Sequence, residues 1–329
     1  MKLFFVGDIN LGEYYTSIGN GPKTYFQNND PFELVGPLLN SADAVIGNLE
    51  SPVTSKSVES NSLQEMALIG RTKDIAALAK ANFRYMQIAN NHSVQHGEDV
   101  FFETVTELKK NNIKPLGLAN QSCEIIECNG ITVGFLCASD VPDNTFKNQN
   151  IYQRLSEEFI TKVKIAITDV DHLIVLLHWG SESSTEPLPA QKLIANQLKQ
   201  IGVRAVIGSH THLFYEIEAS QNFLCAYSLG NFIFDLSWDK RLLKSGILEL
   251  DFSKKSFSSR VHPITISKNG CLPVLAGGAI EINGSVKLYN LKKNMGHQQI
   301  KKTYYLLKNI FKGNTKLKFL FLLKKILRV

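Results

Sequence analysis

The chain has few cysteines and no pattern among them. Cys123, Cys128, Cys137, Cys225 and Cys271 contain no Cys-x-x-Cys pair. An odd, unpatterned set excludes a disulfide framework and suits a reducing compartment, where cysteine behaves as a small buried hydrophobe. Cys123 and Cys128 are near enough in sequence to be bridged, but the apolar strands predicted beside them favour free thiols. Long apolar runs are also missing. No window reaches the roughly 18 uninterrupted apolar residues that a transmembrane helix needs. No internal repeat and no long linker interrupts the chain. With 44% hydrophobic and 20% charged residues, the composition is that of an ordinary globular protein and excludes disordered, collagenous and coiled-coil classes. The 329 residues allow one large domain or two ordinary ones, at roughly 100–200 residues each.

Negative charge is missing from one end. After Glu281 no acidic residue occurs, while Lys and Arg occur 12 times between Lys287 and Arg328. Residues 1–281 hold 24 basic against 30 acidic residues, so a body of net −6 carries a tail of net +12. The N-terminus, Met1 to Asp8, enters an apolar strand at once, and no small-residue cleavage site follows. The expectation is therefore a protein that is not exported, cytoplasmic, and open to peripheral attachment at the inner face of the membrane.

Short apolar runs alternate with helical patterns. Leu3–Val6, Ala44–Ile46, Tyr85–Ile88, Val133–Leu136, Leu173–Leu177 and Ala205–Ile207 read as buried strands bounded by Gly, Asn, Asp or His. Thr72–Ala81, Val100–Lys110, Ser156–Thr168 and Ala190–Ile201 read as helices; Ser156 is an N-cap followed by two glutamates, and Pro189 fits a first helical position. The alternation predicts βα units on a largely parallel sheet. From Phe223 to about Lys287 only strand and turn patterns remain, which suggests a second, more antiparallel sheet. Residues 14–30 and 51–70 read as long loops on the ligand-binding side of the strands.

Five apolar strands end in polar, metal-competent residues: Gly7-Asp8-Ile9-Asn10, Gly47-Asn48-Leu49-Glu50, Asn90-Asn91-His92, His178-Trp179-Gly180 and Gly208-Ser209-His210-Thr211-His212. Singly each has an ordinary reading. Asp8 suits a turn or N-cap, the asparagines can satisfy turn backbone, Glu50 can be a solvated carboxylate, and His178 a satisfied core histidine. Together they converge, because the carboxyl ends of parallel strands lie along one edge. Half of the eight histidines fall in these clusters. Imidazole suits Zn, Fe, Mn and Co, and carboxylate and amide oxygens favour the harder ions among them. Two divalent ions against Asp8 and Glu50 leave an excess of about two positive charges, which attracts a phosphate-type anion and activates a bound water. His92, directly after Asn91, is the candidate acid for the leaving group.

At this point the chain resembles the CapA family, the capsule or poly-γ-glutamate biosynthesis proteins of the calcineurin-like metallophosphoesterase superfamily. The resemblance covers roughly residues 1–250. Its motifs are Gly-Asp-Ile-Asn-Leu-Gly at 7–12, Gly-Asn-Leu-Glu-Ser-Pro at 47–52, Asn-Asn-His at 90–92 and His-Trp-Gly-Ser-Glu at 178–182. Glu186-Pro187 with Gln191, Gly-Ser-His-Thr-His at 208–212 and Tyr-Ser-Leu-Gly-Asn-Phe-Ile-Phe-Asp at 227–235 complete the set. The resemblance implies a four-layer αββα sandwich over residues 1–290 and two divalent metal ions, with Mn, Fe and Zn not distinguished. Asp8, Glu50 and His212, with Asn10, would surround one ion; Glu50, Asn91, His178 and His210 would surround the other. His92 would be the catalytic imidazole, supported by Asn48, Gln95, Glu182 and Asn231. Three positions differ from the superfamily pattern: Asn10 where a His is usual, Glu50 where an Asp is usual, and Gln95 where the family commonly has an Asp.

Residues 291–329 read as a basic amphipathic helical tail. On a helical wheel Lys318, Lys324, Lys325 and Arg328 share one arc, with Phe319, Leu322, Leu323, Ile326 and Leu327 opposite. Such a face suits an anionic membrane surface, and packing on the domain or on polymer-synthase subunits is the other reading. Nothing resembles a nucleic-acid module. The functional expectation is a metal-dependent hydrolase of phosphoesterase type acting on an anionic small molecule or polymer. The alternative is a weakly active or non-catalytic metal-binding assembly subunit of a polymer-synthesis complex.

Overall fold

The computed structural model describes residues 1–58, 60, 62–145, 151–182, 184–291 and 298–327. In chain order the elements that matter are β1 (Lys2–Ile9), β2 (Ala44–Leu49), β3 (Phe83–Gln87), α1 (Glu98–Lys110), β4 (Ile131–Ser139), α2 (Glu157–Ala166) and β5 (His172–His178). They continue with α3 (Pro189–Ile201), β6 (Ala205–Ser209), β7 (Phe223–Ala226), β8 (Asn231–Ile233), β9 (Lys244–Phe252) and β10 (Phe257–Ser267). Two helices close the chain: α4 (Gln298–Lys308) and α5 (Thr315–Leu327). Among the described residues no helix is long and apolar enough to cross a membrane. All five cysteines are free thiols.

Two mixed sheets pack face to face. In the first, β1, β2 and β3 run parallel, and β9 and β10 extend the other edge antiparallel. In the second, β4, β5, β6 and β7 run parallel, with the Glu124–Cys128 strand antiparallel at one edge and the Ile217–Ser220 and Ser285–Val286 strands antiparallel on the other side. The two-residue period of each strand splits its side chains between layers. Leu3, Phe5, Ala44, Ile46, Ile174, Leu176, Ala205 and Ile207 form the core between the sheets. Phe4, Val6 and Val45 turn outward onto Phe101, Val105 and Leu108 of α1. On the other side Leu173, Val175 and Leu177 pack on Phe159 and Val163 of α2 and on Leu198 of α3. Helix, sheet, sheet, helix: the fold is the four-layer αββα sandwich.

Local chemistry agrees with the helix boundaries. The Ser156 hydroxyl accepts a hydrogen bond from the Phe159 amide, capping α2, and Pro189 opens α3. The Thr72–Ala81 stretch divides into a 3₁₀ turn at Thr72–Asp74 and a helix at Ile75–Lys80. The two predicted loops are less bare than their composition suggests. Residues 14–30 hold a short helix, Pro22–Tyr25, and residues 51–70 hold another, Leu63–Met66, with a small parallel pairing of Val53–Thr54 and Gly70–Arg71.

Strand ends of the two sheets meet because the segment after β7 passes between them at very close range. The Asp8 amide donates to Gly230 O at 2.9 Å and the Leu229 amide to Gly208 O at 3.2 Å. A β-carbon at Gly7 would lie 1.9 Å from Gly230 O, and one at Gly208 would lie 1.9 Å from Tyr227 O. Only glycine leaves room for this backbone crossing. Gly208→Ala should therefore destabilise the protein by about 3 kcal/mol, as overpacking against rigid backbone does. The control is Gly36→Ala, where a β-carbon would meet nothing within 4 Å. Urea unfolding of both variants checks this; equal midpoints would refute the crossing as a constraint.

Candidate metal centre

The register sets the site in rows. Asp8 lies beside Asn48 of β2 and beside Asn231 of β8, and His178 lies beside Ser209. Asp8, Glu50, Asn91, His178, His210 and His212 are all buried. Ligand atoms of Asp8, Glu50 and His212 lie within 4.8 Å of one another, and so do those of Glu50, His178 and His210. Glu50 belongs to both groups.

Supporting contacts orient each member. The Asn48 side-chain amide donates to Asp8 Oδ1 at 2.8 Å, and Asn90 Nδ2 donates to Asn48 Oδ1 at 3.2 Å. His212 Nδ1 lies 3.0 Å from Asn231 Oδ1 and 3.2 Å from Asp8 Oδ2, which turns Nε2 toward Glu50 at 3.6 Å. His178 contacts Ser209 Oγ through Nδ1 at 2.9 Å and Asn91 Oδ1 through Nε2 at 2.8 Å. His210 and His212 have φ of +91° and +58°. Left-handed backbone is uncommon for histidine and costs of order 1–3 kcal/mol where tertiary packing enforces it.

His92 is held from behind. Its Nδ1 lies 2.6 Å from Gln95 Oε1 and 2.8 Å from Asn144 Nδ2, and its Nε2 faces Glu50 Oε1 at 3.6 Å. Asn91 Nδ2 donates to Asn144 Oδ1 at 3.2 Å. Glu182 stands at the rim, an exposed residue. Desolvation raises its carboxyl, but His212, His210, Lys302 and His92 outweigh this and hold it below the usual range.

One expected ligand stands apart. Asn10 Nδ2 donates to Asp235 Oδ1 at 3.1 Å, and Asn10 Oδ1 accepts from the Gly12 amide at 2.8 Å. The expectation that Asn10 joins the first ligand group meets a competing arrangement, in which its amide contacts Asp235 and the loop turn. Asp235 also accepts from the Tyr14 amide at 2.7 Å, and burial pushes its carboxyl up to about 7. Sequence reasoning gave Asp235, Asn144 and Ser209 no role. Asp235 closes the 227–235 motif, and Ser209 lies inside the Gly-Ser-His-Thr-His motif. Asn144 follows β4 after a four-residue gap, and no motif marks it.

The electrostatics ask for a cation. Glu50 is wholly buried, and neither of its oxygens has a hydrogen-bond partner; His210 Nδ1 is likewise unpartnered. A buried carboxylate without partners is costly, and burial pushes Glu50 well above the usual carboxylate range, against the pull of His212. Burial acts against a proton on His212, yet Glu50 and Asp8 push it up to about 10. Burial lowers His210 to about 4, and lowers His178 well below its usual value with help from the neighbouring imidazoles. The donor set of carboxylates, imidazoles and a carboxamide fits a divalent cation. The Glu50 oxygens, shared by both groups and without hydrogen bonds, suit such an ion.

Fold and site together define an α/β sandwich with a candidate metal centre at the ends of its central strands. The chain belongs to the bacterial capsule synthesis protein PGA_cap family, whose family model matches residues 2–236. It is 29% identical over 281 residues to the PGA biosynthesis protein CapA of Bacillus subtilis (strain 168), covering 82% of this chain and 73% of that protein. It is 26% identical over 255 residues to the capsule biosynthesis protein CapA of Bacillus anthracis, covering 73% of this chain and 61%, less than two thirds, of that protein. Among solved structures, the 5'-nucleotidase from Candida albicans SC5314 aligns with a TM-score of 0.46 at 10% identity, covering 96% of this chain and 58% of that one.

Two predictions follow from the charge state. His210→Ala/His212→Ala should abolish tight Mn²⁺ binding and the rise in Tm that a ligand of the native state confers; full metal retention in that variant would place the site elsewhere. Burial raises Glu50 and Glu50 in turn raises His212, so this pair holds a proton among protein groups alone, and metal binding must displace it. Affinity should therefore tighten as pH rises from 6 to 8, with protons released on binding. Calorimetry in two buffers of different ionisation enthalpy reads that release; equal apparent enthalpies would contradict it.

Proposed function

We propose that this protein is a metal-dependent hydrolase of phosphoesterase type working in the synthesis of a capsule or poly-γ-glutamate-type polymer. The observation that carries the reading is the buried Glu50 carboxylate, without a hydrogen bond and shared by two ligand groups, with an imidazole that belongs to neither group facing it. Asp8, Glu50 and His212 would hold one divalent ion, and Glu50, Asn91, His178 and His210 a second. Two such ions would supply charge stabilisation and a water of lowered pKa. Family membership and the names of the two CapA relatives support the polymer assignment.

The chain's own residues divide the remaining work. Gln95 Oε1 accepts from His92 Nδ1 and so fixes the ring with Nε2 toward the site. From there Nε2 donates its proton to the departing oxygen of the substrate. Burial lowers the His92 pKa, with the Gln95 contact acting against this, so the imidazolium is a stronger acid than usual. Gln95 is neutral and orients the ring without the charge that an aspartate would add. Asn144 braces both Asn91 and Gln95, accepting from Asn91 through Oδ1 and donating to Gln95 Oε1 through Nδ2. Asn10 and Asp235 fix the 10–14 turn beside Asp8.

The test is metal analysis of the purified protein joined to a hydrolysis screen with Mn²⁺, Zn²⁺ and Fe²⁺. Bis-p-nitrophenyl phosphate and p-nitrophenyl phosphate are the probes, with poly-γ-glutamate as a separate arm. His92→Ala should lower kcat by roughly 10²–10⁴ with metal content near normal. Loss of metal together with activity would make His92 a ligand, and an unchanged rate would remove it from the chemistry. A metal-loaded protein inactive in every arm would favour the assembly-subunit reading.

A further inference from the structure

The C-terminal hairpin of α4 and α5 has two very different sides. Its inner side is fastened to the loops around the site. Leu306, Ile310 and Leu317 are buried, and Leu317 packs with Ile18 and Leu63. Phe321 meets Tyr15 at 5.6 Å between ring centres, and the Asn314 amide donates to Ile18 O at 2.9 Å. Lys301 pairs with Asp239 at 2.8 Å, and the Lys302 ammonium lies 4.8 Å from the Trp238 ring and 5.7 Å from the Tyr14 ring. Lys318 is fully buried and donates to the carbonyls of Asn309 and Lys312 at 3.2 and 2.6 Å. The helical-wheel expectation that Lys318 lies on a solvated basic arc is therefore corrected. The preceding helix end has carbonyls without intrahelical donors, and a lysine inserted there satisfies them. Arg328 and the side chains of Lys324, Lys325, Ile326 and Leu327 lie outside the described residues.

The outer side is apolar and open. Ile300, Tyr304, Leu307 and Phe311 recur at helical spacing, and Phe311 is 81% exposed. Phe319 and Leu323 of α5 are also exposed. The Phe311 and Phe319 rings lie 6.0 Å apart, which joins the two stripes into one face. Exposed Lys308, Lys312 and Lys316 accompany that face. No acidic residue lies in the chain beyond Glu281 to neutralise them.

We propose that this face docks on an anionic lipid bilayer and holds the site-bearing domain at its surface. A contiguous apolar patch on a soluble surface marks an interaction site. Its accompanying lysines, without a carboxylate among them, match negatively charged headgroups. The hairpin is rigidly tied to residues 14–20 and to Asp239, so docking would fix the site relative to the membrane and not merely tether it. The inference is independent of the hydrolase reading, since it rests on residues that touch no ligand group.

The experiment is sedimentation of the full chain with phosphatidylcholine vesicles, with and without about a third phosphatidylglycerol. Point variants are preferable to truncation, which would uncover Ile18, Leu63 and Tyr15. Binding should need phosphatidylglycerol and weaken between 0.1 and 1 M salt, as the Debye length falls from about 10 to about 3 Å. Phe311→Ser/Phe319→Ser and Lys308→Gln/Lys312→Gln/Lys316→Gln should each weaken binding on the order of tenfold, with Tm and metal content unchanged. Absence of sedimentation with either vesicle, or binding that neither variant set reduces, would overturn the proposal. Equal binding to neutral vesicles would overturn its electrostatic part. Self-association without lipid that Phe311→Ser/Phe319→Ser abolishes would assign the face to a second copy instead.

Discussion

The passage of residues 227–231 between the two sheets is the constraint on which the rest depends. Parallel sheets place their strand ends along an edge, but two sheets packed face to face have two such edges. Something must hold these at a fixed offset for ligands from both to reach one point. Here the bridging element is backbone, hydrogen-bonded to Asp8 on one side and to Gly208 on the other. It approaches both strands closer than any side chain would allow. Asp8 and His210 are next to these contacts, and the His210 amide donates to Asp8 Oδ2 at 3.2 Å across the junction. The positive φ of His210 and His212 belongs to the same geometry: the chain must turn sharply after β6 to send two imidazoles back toward the other sheet.

The junction concentrates charge that the protein neutralises only in part, through His212. Asp8 and Glu50 come from the first sheet, and His178, His210 and His212 from the second. Stability alone would favour pairing every buried polar group, and most of the site obeys: Asn48, Asn90, Asn231, Ser209 and Asn144 are all engaged. Glu50 and one nitrogen of His210 do not. The exceptions sit at the centre of the two ligand groups, while the satisfied residues surround them. That pattern of rigid support around an unsatisfied centre is the arrangement a bound cation needs.

The fold was legible because every main strand is apolar, short and bounded by turn residues, so periodicity and length agree. The candidate centre was legible because metal-competent residues cluster at those strand ends, where topology, and not distance in sequence, brings them together. What stayed hidden depends on side-chain choice after folding. Asn10 has the composition of a ligand and the position of one, yet the buried carboxyl of Asp235, 225 residues away, claims its amide. No local pattern shows that competition. Asn144 is invisible for the opposite reason, since it follows a gap after its strand and reaches the site only through the path of its loop. Lys318 shows a limit of the helical wheel, which assumes that the helix is alone. A helix end stacked against another supplies carbonyls that make a buried lysine favourable.

The proposed attachment would be tied to the candidate site by the way the tail is fixed. A flexible basic tether would raise local concentration near a surface but leave orientation free. Here Lys302 lies over Trp238 and Tyr14, whose backbone amide holds Asp235, which in turn holds Asn10 two residues beyond Asp8. The hairpin is thus a few contacts from the ligand groups, through groups that are buried or half-buried along the whole path. Lys302 also lies near enough to Glu182 to help hold that carboxyl ionised at the rim. On the proposed docking, packed side chains and not slack chain would link the outer face of the hairpin to the mouth of the site. Tyr14 and Tyr15 stand at the centre of that path: one faces Lys302 and Trp238, the other Phe321, and both follow the strand that carries Asp8.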